Sequence, residues 1–316
     1  MINNRTKERR LVMIIYVDKF VSKNPFFIEM KQNFSEVIFV TEPNNEVEAC
    51  FLSPFKVTKE FIDQLPNLKW IQLSTAGYNQ IDLALLKERK ITLTNAKDVY
   101  SITIAEDIIT KMLVINRNVK KYIKQMHDKE WLPHQEEPEI YGSTIGFLGS
   151  GSLAVHANER LKAFQTKTLC YRQRPIKHEA FDETYFEEEG LETLLRESDY
   201  VINTLPLSKE TYHLLDQKRL SLMKKSAVFI NVGRGEVVDQ DALIERLSKG
   251  LMRGAALDVM TPEPLPKESP LWEMDNVYIT PHNAPSSPNM MYRLHSLLSD
   301  NLARYLNQKK LLNIIE

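Results

Sequence analysis

Cysteine is scarce in this chain, with two among 316 residues, Cys50 and Cys170. They stand far apart, each inside an apolar run, with no Cys-x-x-Cys pair and no metal-ligand spacing. A disulfide framework and a thiolate metal centre are thereby excluded, and buried free thiols in a reducing compartment are expected. A surplus of charge of either sign is also missing. Forty-one Lys and Arg against 42 Asp and Glu leave a formal net charge of −1, so no polyanion-binding surface is implied and no nucleic-acid partner is expected. Long hydrophobic runs are absent: the longest, such as residues 11–17, fall far short of the ~20 residues of a membrane span. The opening Met-Ile-Asn-Asn-Arg leads into charge, without the apolar region and small-residue cleavage site of a signal peptide. The expectation is a cytoplasmic protein with no membrane contact. Neither a tandem repeat nor a low-complexity segment is apparent.

What is there reads as an α/β protein of about two domains. Short β-rich runs recur at residues 11–17, 36–40, 48–52, 68–73 and 91–94, with amphipathic stretches such as 57–65 and 81–88 between them. A second series occupies residues 144–148, 168–171, 200–204, 227–232, 254–259 and 277–280. Alternation of strands with helices implies parallel pairing through crossovers, and near-continuous apolar strands imply cover on both faces. Between the series, Ile102, Ala105, Ile109, Met112 and Ile115 recur at helical spacing, predicting one long helix from Ser101 to about Lys124. Residues 128–139, charged and containing Pro133 and Pro138, read as a loop or arm. A last helix is expected over about 287–306. The division predicted is residues 1–100 with 286–316, and residues 101–285.

The stretch from Thr144 to Ala154 is a strand running into a Gly-x-Gly-x-x-Ala turn and then a helix. Gly149 suits the tight turn, Gly151 lets backbone approach a pyrophosphate, and Ala154 lets helix pack close to strand. Ser150, Ser152 and Leu153 complete the turn and the first helical residues, whose N–H groups and positive dipole end suit phosphate. A turn made only for packing would use similar residues. The second strand, ending at Tyr171, is followed by Arg172 and Arg174 where an NAD site would place Asp or Glu. Two guanidiniums favour the 2′-phosphate of NADP, with NAD possible and a solvated basic loop as the alternative.

Further along, Val201-Ile-Asn-Thr-Leu-Pro-Leu-Ser-Lys-Glu-Thr211 is followed by Asn231-Val-Gly-Arg-Gly235, Ala256-Leu-Asp-Val-Met-Thr-Pro-Glu-Pro264 and Thr280-Pro-His-Asn-Ala284. With Ser74-Thr-Ala-Gly-Tyr78 and Ala105-Glu106, these resemble, in order, the D-isomer-specific 2-hydroxyacid dehydrogenases. The glyoxylate and hydroxypyruvate reductases lie within that resemblance. It implies two doubly wound parallel-sheet domains, a flavodoxin-like substrate domain and a Rossmann dinucleotide-binding domain, and reduction of a small 2-keto acid to a D-2-hydroxy acid.

The same resemblance assigns roles. Arg234 would bind the substrate carboxylate and polarise its carbonyl, for which a permanently charged planar fork is suited. His282 would exchange the proton with the substrate oxygen, and Glu263 would pair with His282, orient it and favour its protonated form. Asp258 would meet the nicotinamide carboxamide. Thr204, Pro206 and Thr211 would lie in a loop against the cofactor, and Val232 would precede the catalytic loop. Ala76 and Gly77 would offer amides to the substrate carboxylate. The small residues flanking Arg234 suggest close approach of something bound. No metal is implied.

His127, His134, His156 and His178 read as surface or local packing residues. Ala154, Asn283 and Pro285 depart from the family pattern, the last two near the expected substrate pocket. With the chain ending at 316, no regulatory domain of the serine-pathway phosphoglycerate dehydrogenase type is expected. The long helix and the Trp131 arm resemble the segment through which relatives dimerise, so a homodimer is expected. Two competing readings stand beside this one. One is a dinucleotide-sensing interaction protein on the same fold, which loss of the Arg234, Glu263 and His282 positions would have favoured. The other is a 3-hydroxy acid reductase, disfavoured by the Gly-Arg-Gly and Pro-His motifs.

Overall fold

Burial on both faces is what the apolar runs require, and parallel sheets wrapped by helices supply it. The computed structural model describes residues 12–133 and 137–315. Residue Leu11, where the first strand was expected to begin, and His134 lie outside the described residues. The chain divides into two compact units, Met1–Val99 with Ser287–Glu316, and Tyr100–Ser286.

The first unit is built on β1 (Met13–Val17), β2 (Val37–Val40), β3 (Val47–Leu52), β4 (Trp70–Leu73) and β5 (Thr92–Thr94). All pairings are parallel, in the order β2-β1-β3-β4-β5, the flavodoxin-like sequence of strands. Helices α1 (Lys19–Ser22), α2 (Phe27–Asn33), α3 (Lys59–Asp63) and α4 (Leu83–Glu88) connect them. Three are started by side-chain caps: Asp18, Thr58 and Asp82 accept from Val21, Phe61 and Leu85 amides, satisfying orphan donors of the first turn. The C-terminal helix Met290–Leu306 returns to this sheet through a buried polar chain. Trp70 Nε1 donates to Thr94 Oγ1 (2.9 Å), Thr94 Oγ1 to Gln72 Oε1 (2.7 Å), and Asn301 Nδ2 to that same oxygen (2.7 Å). Helices α1 and α2 had no counterpart in the sequence reading.

The second unit carries seven parallel strands: β6 (Thr144–Leu148), β7 (Lys167–Tyr171), β8 (Glu183–Tyr185), β9 (Tyr200–Asn203), β10 (Val228–Asn231), β11 (Gly254–Leu257) and β12 (Val277–Ile279). Their order is β12-β11-β10-β9-β6-β7-β8, the Rossmann arrangement with its switch point between β6 and β9. Helices α5 (Ser101–Asn116), α6 (Val119–Asp128), α7 (Ser152–Leu161), α8 (Glu187–Glu197), α9 (Gln217–Leu222) and α10 (Gln240–Ser248) cover the faces. Strand β8 is short, half-buried and charged, and its weak apolar signal explains why the sequence reading passed over it.

The single long helix expected from Ser101 to about Lys124 is instead two. Asn118 takes a left-handed conformation, φ +46°, between α5 and α6, a conformation Asn tolerates better than most residues. The break falls where Asn116 is pinned in the core. Its amide exchanges hydrogen bonds with Tyr200 Oη (2.6 and 2.9 Å), and Arg253 donates to Asn116 Oδ1. Helical spacing resumes in α6, so periodicity alone runs straight through the bend.

Candidate active site

The turn after β6 is glycine-rich for two different reasons. Gly149 has φ +97°, and a Cβ there would lie 2.8 Å from Thr204 Oγ1, so the chain's own packing demands glycine. At Gly151 an added Cβ would meet no atom within 4 Å. Nothing inside the protein calls for a small residue at that point, which fits backbone that must be approached from outside. Gly151 is also the N-cap of α7 and caps it with no side chain, so first-turn N–H groups face outward at the carboxyl end of β6. These features fit a dinucleotide pyrophosphate held by Gly149 to Leu153. Ser152 Oγ donates to Ser101 Oγ (2.9 Å), joining the starts of α7 and α5.

Gly149 N donates to Tyr171 O (3.0 Å), which sets the end of β7 beside the turn. Arg172 follows, half-buried, with a single 3.3 Å bond from Nη1 to Ile176 O, and Arg174 is exposed. Neither guanidinium has a carboxylate partner among the described residues, so both remain available to an anion.

Arg234, Glu263 and His282 follow β10, β11 and β12, three strands adjacent in the sheet. His282 Nδ1 lies 2.8 Å from Glu263 Oε2, with both side chains partly exposed. Glu263 is anchored in turn through Oε1, which accepts from Met260 N (3.1 Å). His282 itself has φ +50°, and its amide is held by Asp258 O (2.9 Å) and Thr280 O (3.0 Å). A left-handed histidine costs about 1–2 kcal/mol, which these bonds offset, and the conformation fixes the direction of the ring.

Arg234 is half-buried and donates from Nη1 to Gly233 O (2.7 Å). No carboxylate lies within ion-pair distance among the described residues, so most of its five donors are open to a bound anion. The glycines beside it correct the sequence reading. An added Cβ at Gly233 would lie 2.7 Å from Leu205 O, and one at Gly235 2.1 Å from Met260 O. Close approach is thus made by the chain's own neighbouring loops, and these clamp the arginine backbone.

Asp258 is buried and its carboxylate is engaged within the protein. Oδ1 accepts from Thr280 Oγ1 (2.6 Å), Asn283 N (2.9 Å) and Ala284 N (3.1 Å), while Oδ2 shares only Ala284 N (3.1 Å). Thr204 Oγ1 donates to Leu148 O (3.0 Å), and Thr211 Oγ1 to Pro206 O (2.7 Å), so both hydroxyls shape the loop that carries Pro206. Val232 is buried in the core with Ala105, Ile108 and Ala154. In the other unit, Ala76 O accepts from Asn95 Nδ2 (2.7 Å) and Gly77 O from Thr75 Oγ1 (2.9 Å), and neither amide has an acceptor among the described residues.

His127 is exposed beside Asp128, His156 pairs with Glu159 on one helix, and His178 stacks edge-on against Phe181. No His, Cys, Asp or Glu cluster among the described residues suits a metal, and no described helix is long and apolar enough to cross a membrane. The sequence reading missed Asn203, Asn231 and Thr280. Asn203 Nδ2 donates to Asn231 Oδ1 (2.9 Å), which also accepts Gly233 N (3.1 Å), while Asn231 Nδ2 donates to Arg234 O (3.1 Å). The available signal was an Asn closing each of two otherwise apolar strands, since a buried amide there must find partners.

An imidazole–carboxylate pair and an open guanidinium at the carboxyl end of one sheet serve redox chemistry on an anionic substrate only when something else carries the hydride. The turn after β6 is shaped for the dinucleotide that does so, which defines the class: a nicotinamide-dependent oxidoreductase. Comparison with known proteins narrows it. Residues 109–284 match the family model described as the D-isomer specific 2-hydroxyacid dehydrogenase, NAD binding domain. A glyoxylate reductase of Thermofilum pendens is 38% identical over 81% of this chain and 77% of its own. A glyoxylate/hydroxypyruvate reductase B of Pectobacterium carotovorum is 34% identical over 80% of each. Among solved structures, an acyclic imino acid reductase in complex with NADPH and D-arginine superposes with TM-score 0.84 at 26% identity, covering 96% of this chain and 100% of that one. The chain belongs to the D-isomer-specific 2-hydroxyacid dehydrogenases, a family of NAD(P)-dependent oxidoreductases.

Proposed function

We propose that this protein reduces a small 2-keto acid of the glyoxylate or hydroxypyruvate type to the D-2-hydroxy acid, with NADPH as the preferred donor. The observation that carries the reading is the 2.8 Å His282–Glu263 contact, made by residues that follow β12 and β11 in the sheet whose β10 leads into Arg234. A bound nicotinamide would supply the hydride to the keto carbon. Arg234 binds the substrate carboxylate and draws electron density from the carbonyl. Because Nδ1 of His282 faces Glu263, Nε2 is the nitrogen that gives its proton to the keto oxygen as the C–H bond forms. The reverse sequence oxidises the alcohol, with His282 taking the proton back. The Tyr100–Ser286 unit is the dinucleotide domain, holding cofactor through Gly149, Ser150, Gly151, Ser152, Leu153, Thr204, Pro206, Thr211, Val232 and Asp258. The other unit is the substrate domain.

NADPH is favoured because Arg172 and Arg174 stand where the ribose 2′ position would fall and no carboxylate does. Each charge-assisted bond to a 2′-phosphate contributes about 1.5–3 kcal/mol, so one good contact gives roughly tenfold preference. The NADPH complex of the imino acid reductase supports the same choice. Unpaired, buried Cys50 and Cys170 support a reducing, cytoplasmic setting. The test is a panel of glyoxylate, hydroxypyruvate, pyruvate and branched 2-keto acids, each with NADPH and NADH. The expected result is turnover of at least one small keto acid, with kcat/KM for NADPH about tenfold or more above NADH. Tight dinucleotide binding with no turnover would instead support a sensor.

A further inference from the structure

The buried face of α5 contains a charge that its apolar stripe does not call for. Lys111 is fully buried, four residues after Asp107, and its Nζ bonds Asp107 Oδ2. The same ammonium lies 3.9 Å from Asp258 Oδ1, on a side chain 2% exposed. Burying an unpaired charge is costly, so each of these groups depends on the others. Asp258 has the greater need, because Asp107 keeps some contact with solvent. Burial and the neighbouring Asp258 push the Asp107 carboxyl above its ordinary range, against the pull of Lys111.

We propose that Lys111 is a positioning residue for the reaction: its ammonium anchors the Asp258 carboxylate, and through Asp258 sets the loop that carries His282. The link is continuous. Asp258 Oδ1 accepts from Thr280 Oγ1 and from the amides of Asn283 and Ala284, which bracket His282, while Asp258 O accepts the His282 amide. Without the cation, the buried Asp258 carboxylate would lose its ion-pair partner, and its displacement would slacken both sides of the His282 loop. The inference rests on His282 acting as the acid–base group, and it adds a residue from a different helix to that site.

A double-mutant cycle tests it, using wild type, Lys111→Met, Asp258→Asn and the double variant. For each, kcat, the NADPH dissociation constant by nicotinamide fluorescence, and the melting temperature are measured. Displacement of a catalytic group by about 1 Å costs on the order of 10²-fold, so Lys111→Met should lower kcat by roughly one to two orders of magnitude in the wild-type background. In the Asp258→Asn background the same change should cost no more than about twofold, because coupled groups are non-additive. Melting temperatures should show the same coupling. If Lys111→Met does not fold, recovery of folding in the double variant supports the pairing, and failure of both overturns it. Additive losses, or a Lys111→Met kcat within about twofold of wild type, also overturn it. Should wild type turn over no keto acid, the functional reading fails, and the melting cycle still decides whether Lys111 and Asp258 are coupled.

Discussion

Arg234 and His282 are held by different means, and the difference shapes what substitution does to each. His282 depends on one carboxylate contact and on its own left-handed backbone. Its replacement by Ala should lower kcat by roughly 10²–10⁴-fold, the usual worth of a positioned acid–base group. Glu263→Gln keeps the shape of the side chain but removes the charge that pairs with and orients His282. Turnover should fall, measured as kcat for reduction, and an unchanged kcat would refute the pairing. Arg234 depends on glycine neighbours. Gly235→Ala would drive a Cβ to 2.1 Å from Met260 O, and backbone must shift, at about 1–3 kcal/mol as for other overpacked sites. KM for the keto acid should rise while the NADPH dissociation constant stays near wild type, as steady-state kinetics and fluorescence titration would show. Arg172→Asp should erase or reverse the preference for NADPH; an unaltered kcat/KM ratio would reduce Arg172 to a solvated loop residue.

At the scale of elements, the bend between α5 and α6 turns on Asn118. A left-handed residue with a Cβ and no compensating side chain costs about 1 kcal/mol or more, so Asn118→Ala should lower stability by about that amount in urea melts. Asn118→Gly should be neutral or stabilising. Equal melts for the two variants would mean that the helix can straighten without loss. The bend was not legible because both helices keep apolar residues at helical spacing, and the pinning contacts from Tyr200 and Arg253 come from distant parts of the chain. Strand positions in the second unit were legible, since strands covered on both faces must be apolar along their length. Strand β8, at the sheet edge and only half-buried, lacked that constraint.

For the molecule as a whole, apolar side chains exposed on α6 and beyond call for a partner. Ile123, Met126, Trp131 and Leu132 are 61%, 78%, 95% and 54% exposed, and grouped exposed apolar side chains mark interaction surfaces. A two-fold homodimer through this segment is the expected assembly. Light scattering at micromolar concentration should return twice the monomer mass, and Trp131→Glu with Met126→Glu should return the monomer. A wild-type monomer would refute this.

The sequence by itself determined the alternation that builds two parallel sheets, the dinucleotide turn, and Arg234, Glu263 and His282 at strand ends. These are local patterns: a buried strand must be apolar, a tight turn needs glycine, and ligand-binding residues cluster where strands stop. Only the tertiary structure decided what each polar group meets. That Gly233 and Gly235 yield to Leu205 and Met260, that Asn203 and Asn231 brace the arginine, and that Lys111 lies 3.9 Å from Asp258 all depend on partners far along the chain. The cost of a buried charge or amide is set by its neighbours in space, and sequence spacing carries no record of them.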